Sequence, residues 1–191
     1  DTVVDEKNYH LFKDNLIPVC MPRGHYDYPN TFKSISLDEF ETYIEWYIEN
    51  ESFGEIKLLV DIANGHIEKL HKLCEKFVKI RKNENHLLMV GTVANPKTYK
   101  KLAKIGVDYV RVGIGGGSGC LTSANTGVHF PMASLIQECY QYKKKGGYKT
   151  KIVADGGFRN YDDIIKAVML GADYVMLGGI LNKCLESCST T

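Results

Sequence analysis

Lys104-Ile105-Gly106-Val107-Asp108-Tyr109-Val110 and Met169-Leu170-Gly171-Ala172-Asp173-Tyr174-Val175 are near copies of one phrase. Each reads as a helix end, a glycine stop, an aspartate and the start of a buried strand, the mark of a repeating βα unit. Outward from these two phrases the same alternation continues. Apolar runs rich in Val, Ile, Leu and Met fall at Leu16–Cys20, Ile56–Ala63, His86–Val93, Tyr109–Gly115, Thr150–Asp155 and Tyr174–Gly179, as expected of strands covered on both faces. Amphipathic stretches at Leu37–Asn50, Ile67–Lys82, Pro96–Ile105, Met132–Lys145 and Tyr161–Leu170 predict helices, and Asp5–Phe12 predicts a shorter one. Asn95-Pro96, and Asn160 before Tyr161-Asp162-Asp163, mark helix starts.

Repeated βα units build either a doubly wound open sheet or a closed barrel. The glycines favour the barrel. Gly65, Gly91, Gly113–Gly117, Gly156-Gly157 and Gly178-Gly179 follow several strands, as on a barrel's carboxyl-terminal rim, rather than gathering at one switch point. The expectation is an α/β fold, a (βα)8 TIM barrel, with residues 1–191 forming a single domain. Six strands are legible where eight close a barrel, so one strand is expected before Asp1 and another after Thr191.

The 191 residues carry 24 Lys+Arg and 23 Asp+Glu, a net charge of +1, with 44% hydrophobic residues. Such a chain buries a core, and its balanced charge gives no field for nucleic acid or an anionic membrane. No run reaches the ~18 apolar residues of a membrane span, and no secretory or transit signal opens the chain. The expected location is the cytoplasm. The six cysteines, Cys20, Cys74, Cys120, Cys139, Cys184 and Cys188, form no CxxC pair and read as free thiols, most of them small core residues. His10, His71 and His129 have no metal-ligand spacing.

The densest motif is Arg111-Val112-Gly113-Ile114-Gly115-Gly116-Gly117-Ser118-Gly119-Cys120-Leu121-Thr122. A strand entering a glycine-rich loop can turn backbone N–H groups to an anion or carbonyls to a cation, with Cys120 as a candidate nucleophile. Ala154-Asp155-Gly156-Gly157 and Tyr174-Val175-Met176-Leu177-Gly178-Gly179 place glycine pairs after consecutive late strands, suited to a phosphate. Asp155 is a strand-end carboxylate suited to ribose hydroxyls. Asp61, in Val60-Asp61-Ile62-Ala63-Asn64-Gly65-His66, is expected to face the barrel mouth, while His66 reads as an exposed helix-start residue. Arg23, on a rim loop, meets either a cofactor phosphate or only solvent. Lys143-Lys144-Lys145 reads as a favourable helix end, and Tyr43, Trp46 and Tyr47 as packing.

Together these motifs resemble the IMP dehydrogenase / GMP reductase family. Asp1-Thr2-Val3 is similar to the tail of the family's (P/N)MDTV segment, and Gly113–Thr122 to its catalytic loop. The DIANGH segment, Asp61–His66, leans toward the GMP reductase branch, as do Thr126–Pro131 and Met176–Leu181. The CBS insertion of many dehydrogenases is absent, because Arg23–Glu55 is too short to hold one. The resemblance implies that Cys120 attacks C2 of GMP, ammonia leaves, and hydride from NADPH resolves the thioimidate to IMP. Thr122 would relay a proton. Asp155 would hold the ribose, and Ser118, Gly156, Gly157, Gly178 and Gly179 the phosphate. Asp61, Ile62, Ala63, Ile114 and Gly115 would line the cofactor side, and carbonyls of Gly115, Gly117 and Cys120 would hold K⁺.

A homotetramer is the family's usual assembly. Val90-Gly91-Thr92-Val93 replaces the family's GGNV, and Cys120-Leu121-Thr122-Ser123 its Cys-Thr-Thr-Arg. The family's catalytic Glu is expected beyond Thr191, Glu186 falling too soon after Gly179 to be its equivalent. The alternatives are an IMP dehydrogenase, in which the same Cys captures IMP and NAD⁺ takes the hydride, and a purine-nucleotide-binding barrel without turnover.

Overall fold

The computed structural model describes residues 3–25, 27–50, 54–114, 127 and 129–188. Seven strands lie in chain order and pair in parallel: β1 (Cys20–Met21), β2 (Phe32–Ile35), β3 (Ile56–Asp61), β4 (His86–Val93), β5 (Tyr109–Val112), β6 (Lys151–Asp155) and β7 (Tyr174–Met176). Among the described residues the helices are α1 (Tyr9–Lys13), α2 (Leu37–Glu49), α3 (Glu68–Ile80), α4 (Pro96–Ile105), α5 (Met132–Gly146) and α6 (Tyr161–Met169), with a 3-10 turn at Gly179–Leu181. Strictly sequential order is that of a barrel, because a doubly wound sheet reverses its order.

The sheet curls. The rings of Phe32 on β2 and Tyr109 on β5 lie 5.4 Å apart, whereas in a flat sheet these strands would be roughly 14 Å apart. Phe32, Leu59, Met89 and Val153 cluster on the inner face, with Cys20, Tyr109 and Met176 packed against them. The outer face buries Ile35, Val60, Leu88, Val110 and Ile152 under helix residues such as Phe40, Leu70, Phe77, Leu102 and Ile136. Alternate residues of each strand therefore serve two cores, which explains the unbroken apolar runs. The outer edges of the sheet are drawn together by residues near the two ends. Asn8 Nδ2 donates to the Glu186 carbonyl at 2.6 Å, and Cys188 N donates to the Val3 carbonyl at 3.1 Å.

The strand count corrects the sequence reading. Phe32–Ile35 is a seventh strand among the described residues, where six were expected. Its Lys and Ser hid it among polar residues. The run at Leu16–Cys20 is paired only as Cys20–Met21. The helix expected over Asp5–Phe12 begins later, because Asp5 Oδ1 accepts from the N–H groups of Lys7 (2.8 Å) and Asn8 (3.1 Å) and forms a turn. Tyr47 is fully buried and Tyr43 packs against the same core, while Trp46 is 47% exposed with its ring 5.3 Å from that of Tyr43. Among the described cysteines only Cys74 and Cys139 are core residues, while Cys184 is exposed.

The two copied phrases do the same structural work. Asp108 Oδ2 accepts from the Leu88 N–H at 2.9 Å and from Arg81 at 2.7 Å. Asp173 Oδ2 accepts from the Ile152 N–H at 2.7 Å and from Lys143 at 2.6 Å. Each carboxylate pins the start of the preceding strand to a cation on or just after the helix that leads into that preceding strand, so Lys143 is a structural partner rather than a plain helix-end charge. Asp173→Ala strands the Lys143 ammonium and an N–H and is expected to cost about 2–3 kcal/mol in urea denaturation. Asp38→Ala, whose ion pair with Lys69 is exposed, should shift the midpoint little.

Candidate active site

The carboxyl ends of the strands carry one line of charges. Asp61 ends β3 and Asp155 ends β6, while Arg111 points inward from β5. Arg111 Nη2 donates to Asp61 Oδ1 at 2.7 Å. Its Nε lies 3.3 Å from Asp155 Oδ2, an ion pair without hydrogen-bond geometry. Arg23, on the loop after β1, lies 3.7 Å from the other Asp61 oxygen and is more than half exposed. The Arg111 side chain is 14% exposed, against 32% for Asp61 and 29% for Asp155. Both carboxylates therefore keep an open side at the mouth.

Burial raises the Asp155 carboxyl above its ordinary range, Arg111 opposes this, and Asp61 adds to it. Cys20, also beneath Arg111, has its thiol pushed up to about 12, chiefly by burial. It is a neutral lining group rather than a thiolate.

Asp155, Arg111 and Gly178 line one end of the barrel interior, a space of about 550 Å³ that continues past Met89 and Val153 to Lys57, Leu87 and Tyr109 at the amino ends of the strands and lies between β1 and β7. Gly156 and Gly157, directly after Asp155, both take left-handed φ, +94° and +86°. Gly178 and Gly179 begin the 3-10 turn after β7 and are exposed. On the other side of Asp61, Ile62 is half-buried and Ala63 exposed, whereas Ile114 is buried.

The structure thus brings together Asp61, Asp155, the Gly156-Gly157 pair and Gly178 around one mouth. Ser118, Cys120 and Thr122, and the proposed cation carbonyls of Gly115, Gly117 and Cys120, lie outside the described residues. No group of His, Cys, Asp and Glu suited to a metal ion occurs among the described residues. Both ring nitrogens of His66 have partners within the protein. Its Nδ1 lies 2.7 Å from Thr98 Oγ1, and its Nε2 accepts from the Ala94 N–H at 3.3 Å, so it ties the Asp61 loop to the start of α4. Nor is it fully exposed, and burial lowers its pKa.

Arg111 escaped the sequence reading as a site residue. Its signal was present, since a cation inside a buried four-residue strand needs an anionic partner. Among the described residues, no helix is long and apolar enough to cross a membrane.

Residues 54–191 match the family model described as the IMP dehydrogenase / GMP reductase domain. GMP reductase 2 of Homo sapiens is 39% identical over 140 residues, which cover 72% of this chain and 38% of that protein. The chain therefore spans well under half of that relative's length. The crystal structure of inosine 5′ monophosphate dehydrogenase from Legionella pneumophila has a TM-score of 0.78 and 26% identity, covering 98% of this chain and 58% of that one. A GMP reductase from Trypanosoma brucei in complex with guanosine 5′-monophosphate has a TM-score of 0.63 and 27% identity, covering 78% of this chain and 30% of that one. A sequential parallel barrel with carboxylates at its strand ends agrees with these matches, and the chain belongs to the IMP dehydrogenase / GMP reductase family.

Proposed function

We propose that this chain is the barrel of a GMP reductase, which converts GMP, NADPH and protons to IMP, ammonia and NADP⁺. The observation that carries the reading is the 39% identity to a protein named GMP reductase 2. The placing of Asp155 and Gly178 together at the carboxyl ends of β6 and β7 supports it. Asp155 accepts from the ribose hydroxyls, and Gly156, Gly157, Gly178 and Gly179, with Ser118, hold the phosphate.

The Cys120 thiolate adds to C2 of the purine, and the 2-amino group departs as ammonia while Thr122 relays a proton. Hydride reaches C2, the C–S bond breaks, and the thiolate is restored. A nicotinamide cofactor supplies that hydride when bound. Asp61, with a half-open carboxylate beside Ile62 and Ala63, fits the ribose and ring of such a cofactor. Gly115, Gly117 and Cys120 carbonyls hold K⁺, and the protein works as a cytoplasmic homotetramer.

An IMP dehydrogenase is the second reading, favoured by the Legionella pneumophila structure's match over 98% of the chain. Full-length protein in K⁺ buffer separates the two. NADPH loss with ammonia release on adding GMP is the expected result, whereas NADH gain with IMP and NAD⁺ assigns the dehydrogenase. No response in either, with GMP still bound, points to a binding barrel. In the same protein Asp155→Ala is expected to weaken GMP binding by ~1–3 kcal/mol, read by calorimetry. Unchanged affinity would remove Asp155 from the ribose site.

A further inference from the structure

We propose that Arg111 is a positioning residue that holds Asp61 and Asp155 in mutual register, so that one guanidinium aligns the cofactor side and the nucleotide side of the mouth. This rests on the GMP reductase reading of those two carboxylates.

Asp61 and Arg111 are not on neighbouring strands, since β4 lies between β3 and β5. The β4 residue in register with Asp61 is Gly91. A Cβ at Gly91 would stand 2.5 Å from the Arg111 Cβ and 2.5 Å from its carbonyl oxygen. The middle strand thus offers only a hydrogen where β3 offers Asp61, and Arg111 crosses above it to reach that carboxylate at 2.7 Å. On its other side the same guanidinium meets Asp155 at 3.3 Å. A buried cation needs a single anion to be neutralised. Here it takes two, both at strand ends and both open toward the mouth. The planar fork suits this double duty, since its donors point in fixed directions, whereas an ammonium is a single point of charge. Arg23 completes the line by neutralising the outer oxygen of Asp61.

The test compares wild type, Arg111→Met and Arg111→Lys in the full-length protein, with thermal melting to establish folding. GMP affinity is followed from neutral to mildly acid pH, and the KM for NADPH is measured alongside. Asp155 faces Arg111 from β5, Asp61 from β3 and the neutral Cys20 thiol from β1. Because burial raises the Asp155 carboxyl, GMP affinity should fall as pH drops through that raised value. Arg111→Met removes the cation that opposes the rise. It should move the fall to higher pH and weaken both ligands, each by about tenfold. Arg111→Lys should keep the pH of the fall close to wild type and recover only one of the two affinities.

An Arg111→Met protein that melts like wild type with an unmoved pH profile and unchanged affinities would overturn the proposal. Should that variant fail to fold, full recovery of both affinities by Arg111→Lys would overturn it equally. Wild type that binds neither GMP nor NADPH would instead bring down the functional reading, and this proposal with it.

Discussion

Replacing Cys120 with alanine is expected to abolish GMP reduction, by ~10³-fold or more, while GMP still binds. The other thiols do not compete for the role. Cys20 sits beneath Arg111, but burial pushes its thiol up to about 12, so it holds its proton at neutral pH. Cys74 and Cys139 lie in the outer core, and burial raises both far above the thiol range. Cys184 and Cys188 lie beyond β7, on a segment whose backbone joins residue 3, and neither lines the space that Asp155 and Arg111 border. Cys120 follows the strand that carries Arg111, in the motif shared with the family's catalytic loop. Binding should survive because Asp155 and the glycine pairs are separate residues with their own supports. The checks are NADPH consumption with GMP present and calorimetric titration with GMP. Turnover persisting in the alanine variant would end the covalent mechanism.

How much of this was legible beforehand depended on whether each residue's role is local. Helix starts were legible because capping is local. Asn95 Oδ1 accepts from the Lys97 N–H and Asn160 Oδ1 from the Asp163 N–H, as their sequence context suggested. Long strands buried on both faces were legible from composition alone. The strand Phe32–Ile35 was not, since Lys33 and Ser34 interrupt its apolar character, and only its pairing with β1 and β3 makes it a strand. One local clue did exist. Ser36 and Glu39 form a capping box that opens α2, leaving a short extended segment just before it.

The site followed the same division. Asp61 and Asp155 could be placed at strand ends because a barrel puts its chemistry there. That they share Arg111 could not be read, because the contact crosses β4 and depends on strand register. The role of Gly91 was equally hidden. As a sequence feature it was one more rim glycine, and as a structural one it is what lets Arg111 pass.

Gly113→Ala is expected to be the most damaging single-methyl change described here, costing ~3 kcal/mol or more. Gly113 follows β5 with φ at +130°, a conformation alanine rarely adopts. Its N–H donates to the Val93 carbonyl at 2.9 Å, and its carbonyl accepts from the Thr92 hydroxyl, so the backbone cannot simply rotate away. An added Cβ would collide with the Asp155 carbonyl oxygen and the end of the Met132 side chain. Met132 can swing aside, but the Asp155 carbonyl belongs to the β6 backbone and takes its carboxylate with it.

Gly24→Ala separates the two causes. Gly24 has φ of +85° with nothing within 4 Å of an added Cβ, so it reports backbone strain alone, about 1–2 kcal/mol. The excess at Gly113 measures the clash between the ends of β5 and β6. Misplacing a binding group by about 1 Å can cost ~10²-fold in rate, so kcat/KM should fall by that order even in the folded fraction. Urea denaturation and GMP affinity, measured on both variants, decide it. Equal losses at Gly24 and Gly113 would mean that β5 and β6 do not meet as closely as the structure places them.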